Sequence, residues 1–380
     1  MKTSKKVIAI CVLLILCVSL LFAACNKQRK PKAVENVGIS HEDEFGGIYI
    51  LKTIDQFNDL GYEYGDSVDI TFSNGYEIKD IPYYNGYYTK NGEKLLVAYP
   101  GYPYIKVCIN NGDDLYTIAH LLPSDKATIR INTLGKYLDV QKSRDLHYSD
   151  DRSQFDSDEK FANFRWVKAG NIKECTLFRS ASPCDNQHKR ASTVDGLISF
   201  AQINYIVDLA DTYVKIEGYL KQPDFNSPYF RTLYQINNVA PVGLNMNYES
   251  DEFKEKVAGV LVAMIQSGGP YLVHCTEGKD RTGFVCMLLE ALCGATYQEI
   301  VDDYMITYDN YYGIKKGDYR YSIIVDSLLD PMIQSVVNDS SVDFKTVDLS
   351  PYAKNWLIAG EMSEHNVNKL IDYLTGPIVV

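Results

Sequence analysis

Tyr271-Leu272-Val273-His274-Cys275-Thr276-Glu277-Gly278-Lys279-Asp280-Arg281-Thr282-Gly283 is the stretch on which the reading of this chain turns. A short apolar strand leads into a tight polar loop, and the apolar run 284–292 that follows suits a buried helix. The loop holds Cys-x5-Arg. A loop closing between a strand and a helix N-terminus turns its backbone N–H groups inward, and together with the helix dipole they form a seat for a phosphate dianion. Cys275 is expected at the bottom of that seat, with Thr276, Glu277, Gly278, Lys279 and Thr282 around the phosphate. Arg281 returns over it with a planar fork matched to two phosphate oxygens. The same positive field favours thiolate over thiol, which makes the sulfur a nucleophile.

Other readings of the loop fail on its own residues. A nucleotide-binding P-loop needs G-x-x-x-x-G-K-[ST], whereas Asp280 follows Lys279 and Val273 stands where the first glycine belongs. A lone cysteine is usually a core residue, but Cys275 shares its loop with Lys279, Arg281, Gly278 and Gly283. His274 and Cys275 have no further ligand cluster beside them, so neither a metal nor another cofactor is expected.

His274-Cys275-x5-Arg281-Thr282-Gly283 resembles the signature of the cysteine-dependent tyrosine phosphatase superfamily. Gly278-Lys279-Asp280-Arg281-Thr282-Gly283 is similar to its bacterial branch, whose members act on phosphotyrosine, phosphoserine/threonine or phosphoinositides. Leu177-Phe178-Arg179-Ser180 and Ile206-Val207-Asp208-Leu209 resemble the same branch, with Ala210 standing where its second motif often has Arg. The resemblance covers roughly the last 225 residues, the size of one domain. It implies a phosphocysteine intermediate, and a phosphorylated protein or a phosphoinositide as substrate. Thr282 is then expected to serve the departing sulfur and His274 to hold the loop.

In much of that superfamily an Asp on a mobile loop upstream of the Cys protonates the leaving oxygen, but residues 243–250 contain none. Asp280, inside the loop, is the expected acid, with Asp208, Asp211 and Asp251 in reserve and Arg179 as a further rim residue. Asp251 also suits a helix N-terminus. Lys279 favours substrates with more than one phosphate, whereas Glu277 opposes them. Phosphotyrosine proteins are the expected substrates, with phosphoinositides or inositol phosphates as the alternative. A non-catalytic surface binding protein is the alternative of another class, and the complete Cys, Arg and Gly loop argues against it.

Residues 1–6 are basic, 7–22 form a continuous apolar run, and Ala23-Ala24-Cys25 follows at once. This is secretory signal architecture, and Cys25 after two alanines resembles a bacterial lipoprotein box. The run of ~16 residues is short of the ~20 a spanning helix needs, so cleavage after residue 24 and lipidation of Cys25 are expected. The protein is then exported and anchored in the cell membrane facing outside. Residues 25–43 are polar without a hydrophobic period and read as a tether. A net charge of −11 argues against nucleic acid as a partner and against passive adhesion to anionic lipid. Nothing in the sequence fixes an oligomeric state.

Residues 44–140 read as a small all-β domain, a barrel or a sandwich. Strand-like runs at 67–72, 95–99 and 105–109 alternate with Asn74-Gly75, Asn85-Gly86, Asn91-Gly92 and Asn111-Gly112, the strongest short-range hairpin signal. Residues 141–159 are polar and read as a linker. Residues 160–380 alternate strand-like and helix-like runs, which predicts an α/β phosphatase domain with a central, mostly parallel sheet and helices on both sides. Ligands gather beyond the carboxyl ends of such strands. That rule brings Arg179, Asp208, Asp211 and the loop 275–281 to one rim. Helices are expected over 297–310, 319–337 and 350–374, with Ser250 and Asp318 as caps. Asp302, Asp303 and Asp309 lack the spacing of a calcium loop and read as a solvated helix face. Cys286 and Cys293 read as small core residues, and no disulfide framework is expected.

Overall fold

The computed structural model describes residues 29–43 and 46–376, so the expected leader and Cys25 lie outside the described residues. The chain divides into two compact units after Lys142.

In the first unit seven strands close into a barrel. They are β1 (Val34–Glu42), β2 (Gly47–Ile50), β3 (Ser67–Phe72), β4 (Glu77–Tyr84), β5 (Lys94–Val97), β6 (Ile105–Ile109) and β7 (Lys126–Thr133), in the order β1-β2-β6-β5-β4-β3-β7. Short helices at Ile54–Asn58 and Leu115–Ile118 interrupt the β sequence. The core is apolar, with Ile48, Val68, Ile70, Leu96, Val107 and Ile129 fully buried. β1 corrects the tether expected at 25–43. Val34 and Ile39 are buried, but Asn36 takes φ 50° and the pairing with β7 shifts register between Val34 and Val37, so the bulge hides the two-residue period. Of the four Asn-Gly signals, Asn74-Gly75 joins the antiparallel pair β3 and β4. Asn85-Gly86 and Asn91-Gly92 lie between β4 and β5, which pair in parallel, and Asn111-Gly112 leads from β6 to a helix. A parallel pair needs a crossover, so those turns bend the chain without making hairpins.

The second unit holds a five-stranded sheet made of β8 (Arg165–Trp166), β9 (Leu177–Ser180), β10 (Tyr205–Asp208), β11 (Val239–Pro241) and β12 (Tyr271–His274), ordered β11-β10-β12-β9-β8. The first four in that order run parallel, and β8 is antiparallel at the edge. Successive strand residues enter two different cores. Leu177, Val207, Tyr271 and Val273 pack with the helices Asp251–Ser267, Asp280–Leu292 and Tyr297–Tyr312, whereas Phe178, Ile206 and Leu272 pack with Ala191–Phe200 and Pro228–Gln235. That alternation puts helices on both faces of the sheet. Register pairs His274 with Ser180 on one side and Asp208 on the other, so the strand ends meet at one rim.

Three expectations need correction here. Of the linker expected over 141–159, residues 143–159 belong to the second unit. Their polar side chains are used in folding: Asp151 accepts from the Ser153 amide, Ser157 from the Lys160 amide, and Asp150 pairs with Arg190 at 2.7 Å. The helix expected over 319–337 is three pieces, Tyr319–Ile324, a π turn Val325–Leu329 and Asp330–Val337. Pro331 has no N–H to give the ladder, and the π turn absorbs the mismatch. The helix expected over 350–374 is two, Ser350–Ala359 and Glu364–Thr375, the second capped by Ser363. Ser250 and Asp318 cap as expected, through the amides of Phe253 and Arg320. Among the described residues all six cysteines are free, and Cys286 and Cys293 are buried.

Candidate active site

Beyond β12 the chain turns through Cys275–Lys279 and enters the helix Asp280–Leu292, buried without interruption from Thr282 onward. Lys279 is its N-cap and offers no side-chain bond to the first amides, which leaves those N–H groups for a ligand. Gly278 takes φ 68°, and a Cβ there would stand 2.2 Å from the Ser180 carbonyl oxygen, so only glycine fits this turn. Cys275 is 3% exposed. It lines an open cavity of about 420 Å³ together with Gln187, His188, Asn245, Thr276, Asp280 and Arg281. Arg281 is held by two weak donations, from Nη1 to the Leu244 carbonyl at 3.3 Å and from Nη2 to Thr276 Oγ1 at 3.3 Å. Its fork therefore lies across the loop, where a phosphate can replace both partners.

Behind the loop is a buried polar buttress that was not read from the sequence. Arg179 Nη2 and Asn163 Nδ2 both donate to the Gly278 carbonyl at 3.2 Å, and Tyr311 Oη donates to the Glu277 carbonyl at 2.7 Å. With two successive carbonyls drawn outward, the loop amides are turned toward the cavity. Asp303 sets this up. Its carboxylate takes Arg179 Nη1 at 2.6 Å and Arg165 Nε at 3.0 Å. Burial works against its charge, but the Arg165 and Arg179 guanidiniums hold the carboxyl well below the usual Asp range. Glu290 beside it is pushed the other way, by burial and by Asp303. Arg179 is thus a support under the loop, not a rim residue, and Asp303 is not on a solvated face. The available signal was periodicity: Ile300, Asp303, Tyr304, Thr307 and Tyr311 share the inner face of their helix.

Residues 160–335 match the tyrosine phosphatase family. Over 53 residues the chain is 42% identical to a Cupriavidus necator protein provisionally named a tyrosine-protein phosphatase, covering 14% of this chain and 19% of that one. Over 71 residues it is 34% identical to the triple specificity protein phosphatase PtpB of Mycobacterium tuberculosis, covering 17% and 26%. Residues 160–335 are thus similar to a tyrosine phosphatase domain. The matched stretches span about a quarter or less of either curated relative. Among solved structures, the core catalytic domain of the PP-IP phosphatase SIW14 from S. cerevisiae aligns at 16% identity and a TM-score of 0.26, over 46% of this chain and 94% of that one.

The acids of the second unit separate by position. Asp280 and Glu277 line the cavity. Asp280 accepts from Lys279 Nζ at 2.7 and 2.9 Å. Burial raises its proton affinity, but Lys279 outweighs that and holds the carboxyl below its usual range. Glu277 is engaged at the wall, where Tyr148 Oη donates to it and His188 Nε2 stands 4.0 Å away. Tyr148 stacks on Tyr311, and His188 Nδ1 faces Asp150 at 3.3 Å. Sequence reasoning missed Tyr148 and His188, because one lay in the supposed linker and the other in an unremarked loop. Asp208 and Asp211 reach the rim as expected, yet both are buried beside it and neither lines the cavity. Burial pushes each up to about 6, and for Asp211 the neighbouring Asp208 adds to the effect. Asp251 is exposed at its helix N-terminus, paired with Lys254 at 3.1 Å, and takes no part in the site. His274 Nδ1 lies 3.4 Å from the Cys275 carbonyl, and burial lowers the imidazole to about 4, so it is a neutral brace. The Thr282 hydroxyl is buried and has no hydrogen-bond partner among the described residues.

Proposed function

We propose that this chain is a phosphatase that hydrolyses phosphate monoesters through Cys275, with phosphotyrosine proteins as its substrates, at the outer face of the cell membrane. Cys275 and Arg281 lining one cavity at the end of β12 is the observation that carries the reading. The sulfur attacks phosphorus while the loop amides and Arg281 hold the equatorial oxygens, and the bond to the leaving oxygen breaks. Asp280 gives that oxygen its proton. A phosphate dianion arriving in the seat adds negative charge beside Asp280 and raises its proton affinity, which offsets the hold of Lys279 in the free protein. Water then attacks the phosphocysteine, releasing phosphate and thiolate, and the buried Thr282 hydroxyl is free to donate to the departing sulfur.

The choice of phosphotyrosine over polyphosphorylated inositides rests on Lys279. Its ammonium is bound by Asp280 and lies 3.7 Å from Glu277 Oε2, so two carboxylates balance its charge before any substrate arrives. Little is left to attract a second phosphate. Assayed side by side on the full chain, a phosphotyrosine peptide should turn over at least ten times faster than phosphoinositides or inositol phosphates. The reverse order would replace the substrate assignment with the phosphoinositide reading. Membrane attachment rests on the leader and Cys25: wild-type protein should partition with membranes and Cys25→Ala should not, whereas equal partitioning would point to an uncleaved anchor.

A further inference from the structure

We infer that the phosphatase domain holds one divalent cation of the zinc type beside the phosphate loop, ligated by Cys184, Asp208, Asp211 and His274. The four side chains come from the segment after β9, from the end of β10 and the turn beyond it, and from the end of β12. All are buried, the most exposed at 2%. The ligating atoms of Cys184, Asp208 and Asp211 lie within 4.8 Å of one another. Asp208 Oδ2 is 3.9 Å from Cys184 Sγ and 3.9 Å from His274 Nε2. Donors at ~2.0–2.3 Å from a tetrahedral zinc stand roughly 3.3–3.6 Å apart, so the two 3.9 Å separations from Asp208 Oδ2 need to close by only a few tenths of an ångström.

Hydrogen bonding leaves this cluster short of positive charge. Asp208 Oδ1 takes the amides of Ala210 and Asp211, which turns Oδ2 toward the sulfur and the imidazole. Asp211 Oδ1 accepts from Tyr219 Oη, and its Oδ2 has no hydrogen-bond partner among the described residues. The neutral His274 ring donates from Nδ1 to the Cys275 carbonyl, so Nε2 presents a bare lone pair, also without a partner, toward a carboxylate. Ligating histidines commonly have this arrangement, with one ring N–H on a backbone carbonyl and the other nitrogen on the metal. The nearest cation on Asp211 is Lys215, 3.7 Å from Oδ1 at the solvent edge, and Arg281 is engaged by Leu244 and Thr276. Buried carboxylates are normally paired or bound to metal, and thiolate, imidazole and carboxylate together suit zinc. The ion would not touch substrate. It would brace the loop, because Ser182, next to the Cys184 segment, donates its amide to the Thr276 carbonyl at 3.1 Å.

The test uses the full chain carrying Cys275→Ser, which removes the competing cysteine of the loop, titrated with Co²⁺ as a coloured zinc surrogate. One equivalent should bind with thiolate-to-cobalt charge-transfer absorption and a tetrahedral ligand-field spectrum, and one equivalent of Zn²⁺ should displace it. Adding Cys184→Ala should abolish the charge-transfer band. Adding Asp211→Asn, which keeps the shape of the site, should weaken binding at least tenfold with the far-ultraviolet circular dichroism unchanged. No thiolate band in Cys275→Ser, or a band that survives Cys184→Ala, would overturn the assignment. So would undiminished affinity in Asp211→Asn. This inference does not depend on the proposed substrate.

Discussion

Gly278→Ala tests whether the phosphate seat depends on a single backbone conformation. A Cβ at this position would sit 2.2 Å from the Ser180 carbonyl oxygen and 2.4 Å from its carbon, both backbone atoms on β9 that cannot swing aside. Ordinary contact begins at 3.4 Å, so the loop must retreat by about 1.2 Å. The residue would also be held at φ 68°, which costs an L-residue roughly 1–2 kcal/mol. A misplacement of about 1 Å can cost on the order of 10²-fold in rate, because the amides no longer converge on the equatorial oxygens. The expected outcome is a fall of roughly 10²-fold or more in kcat/KM for nitrophenyl phosphate, measured beside urea unfolding. Stability should drop by only about 1–3 kcal/mol, leaving the protein folded. A variant within about threefold of wild type would refute the claim that the Gly278 turn aims the loop.

Three further perturbations probe the neighbouring parts. Asp280→Asn should slow phosphotyrosine hydrolysis by roughly 10²-fold or more with a much smaller loss on nitrophenyl phosphate, since an acid matters most for a poor leaving group; equal losses would make Asp280 only a partner for Lys279. Asp303→Asn leaves the Arg165 and Arg179 guanidiniums without their buried carboxylate and should cost about 3–5 kcal/mol by chemical denaturation, with activity falling as the Gly278 carbonyl is released; a loss below about 1 kcal/mol would remove Asp303 from the buttress. Asp211, raised to about 6 by burial and Asp208, contributes stability that is complete below its ordinary value of 3.8 and lost as pH rises through 6. In a chelator, Asp211→Asn should therefore be more stable than wild type at pH 8 by on the order of 1–3 kcal/mol and no more stable at pH 4; the same difference at both would contradict the shift.

What could be read from the sequence was what is local. Residues 271–283 carry strand, turn and helix signals in consecutive positions, and the structure places β12 and the loop helix there. The strand-end rule likewise brought Asp208, Arg179 and Cys275 to one edge of the sheet. It could not say which side of the loop each would occupy, because that depends on partners far along the chain. Arg179 is underneath only because Asp303, more than a hundred residues later, is buried to receive it. Tyr148 and Asp150 were lost to a compositional habit: polar residues that cap turns and pair with Arg190 look like solvated linker when their partners are unknown. The barrel strand β1 was hidden by one bulged residue, and its parallel pair β4 and β5 by turn dipeptides that signal hairpins in most contexts. The cluster of Cys184, Asp208, Asp211 and His274 is hard to see in sequence, since only Asp208 and Asp211 stand close together and the other two members lie 24 and 63 residues from them.

The central claim is a covalent phosphocysteine at Cys275, and the most direct measurement is acid quenching during turnover of an aryl phosphate followed by mass spectrometry of the peptide containing residues 271–281. A phosphoryl group on Cys275, absent from a Cys275→Ser protein that still binds phosphate esters but does not turn them over, is the predicted result. Substantial turnover by Cys275→Ser, or phosphorylation at another residue of an active wild-type chain, would contradict it.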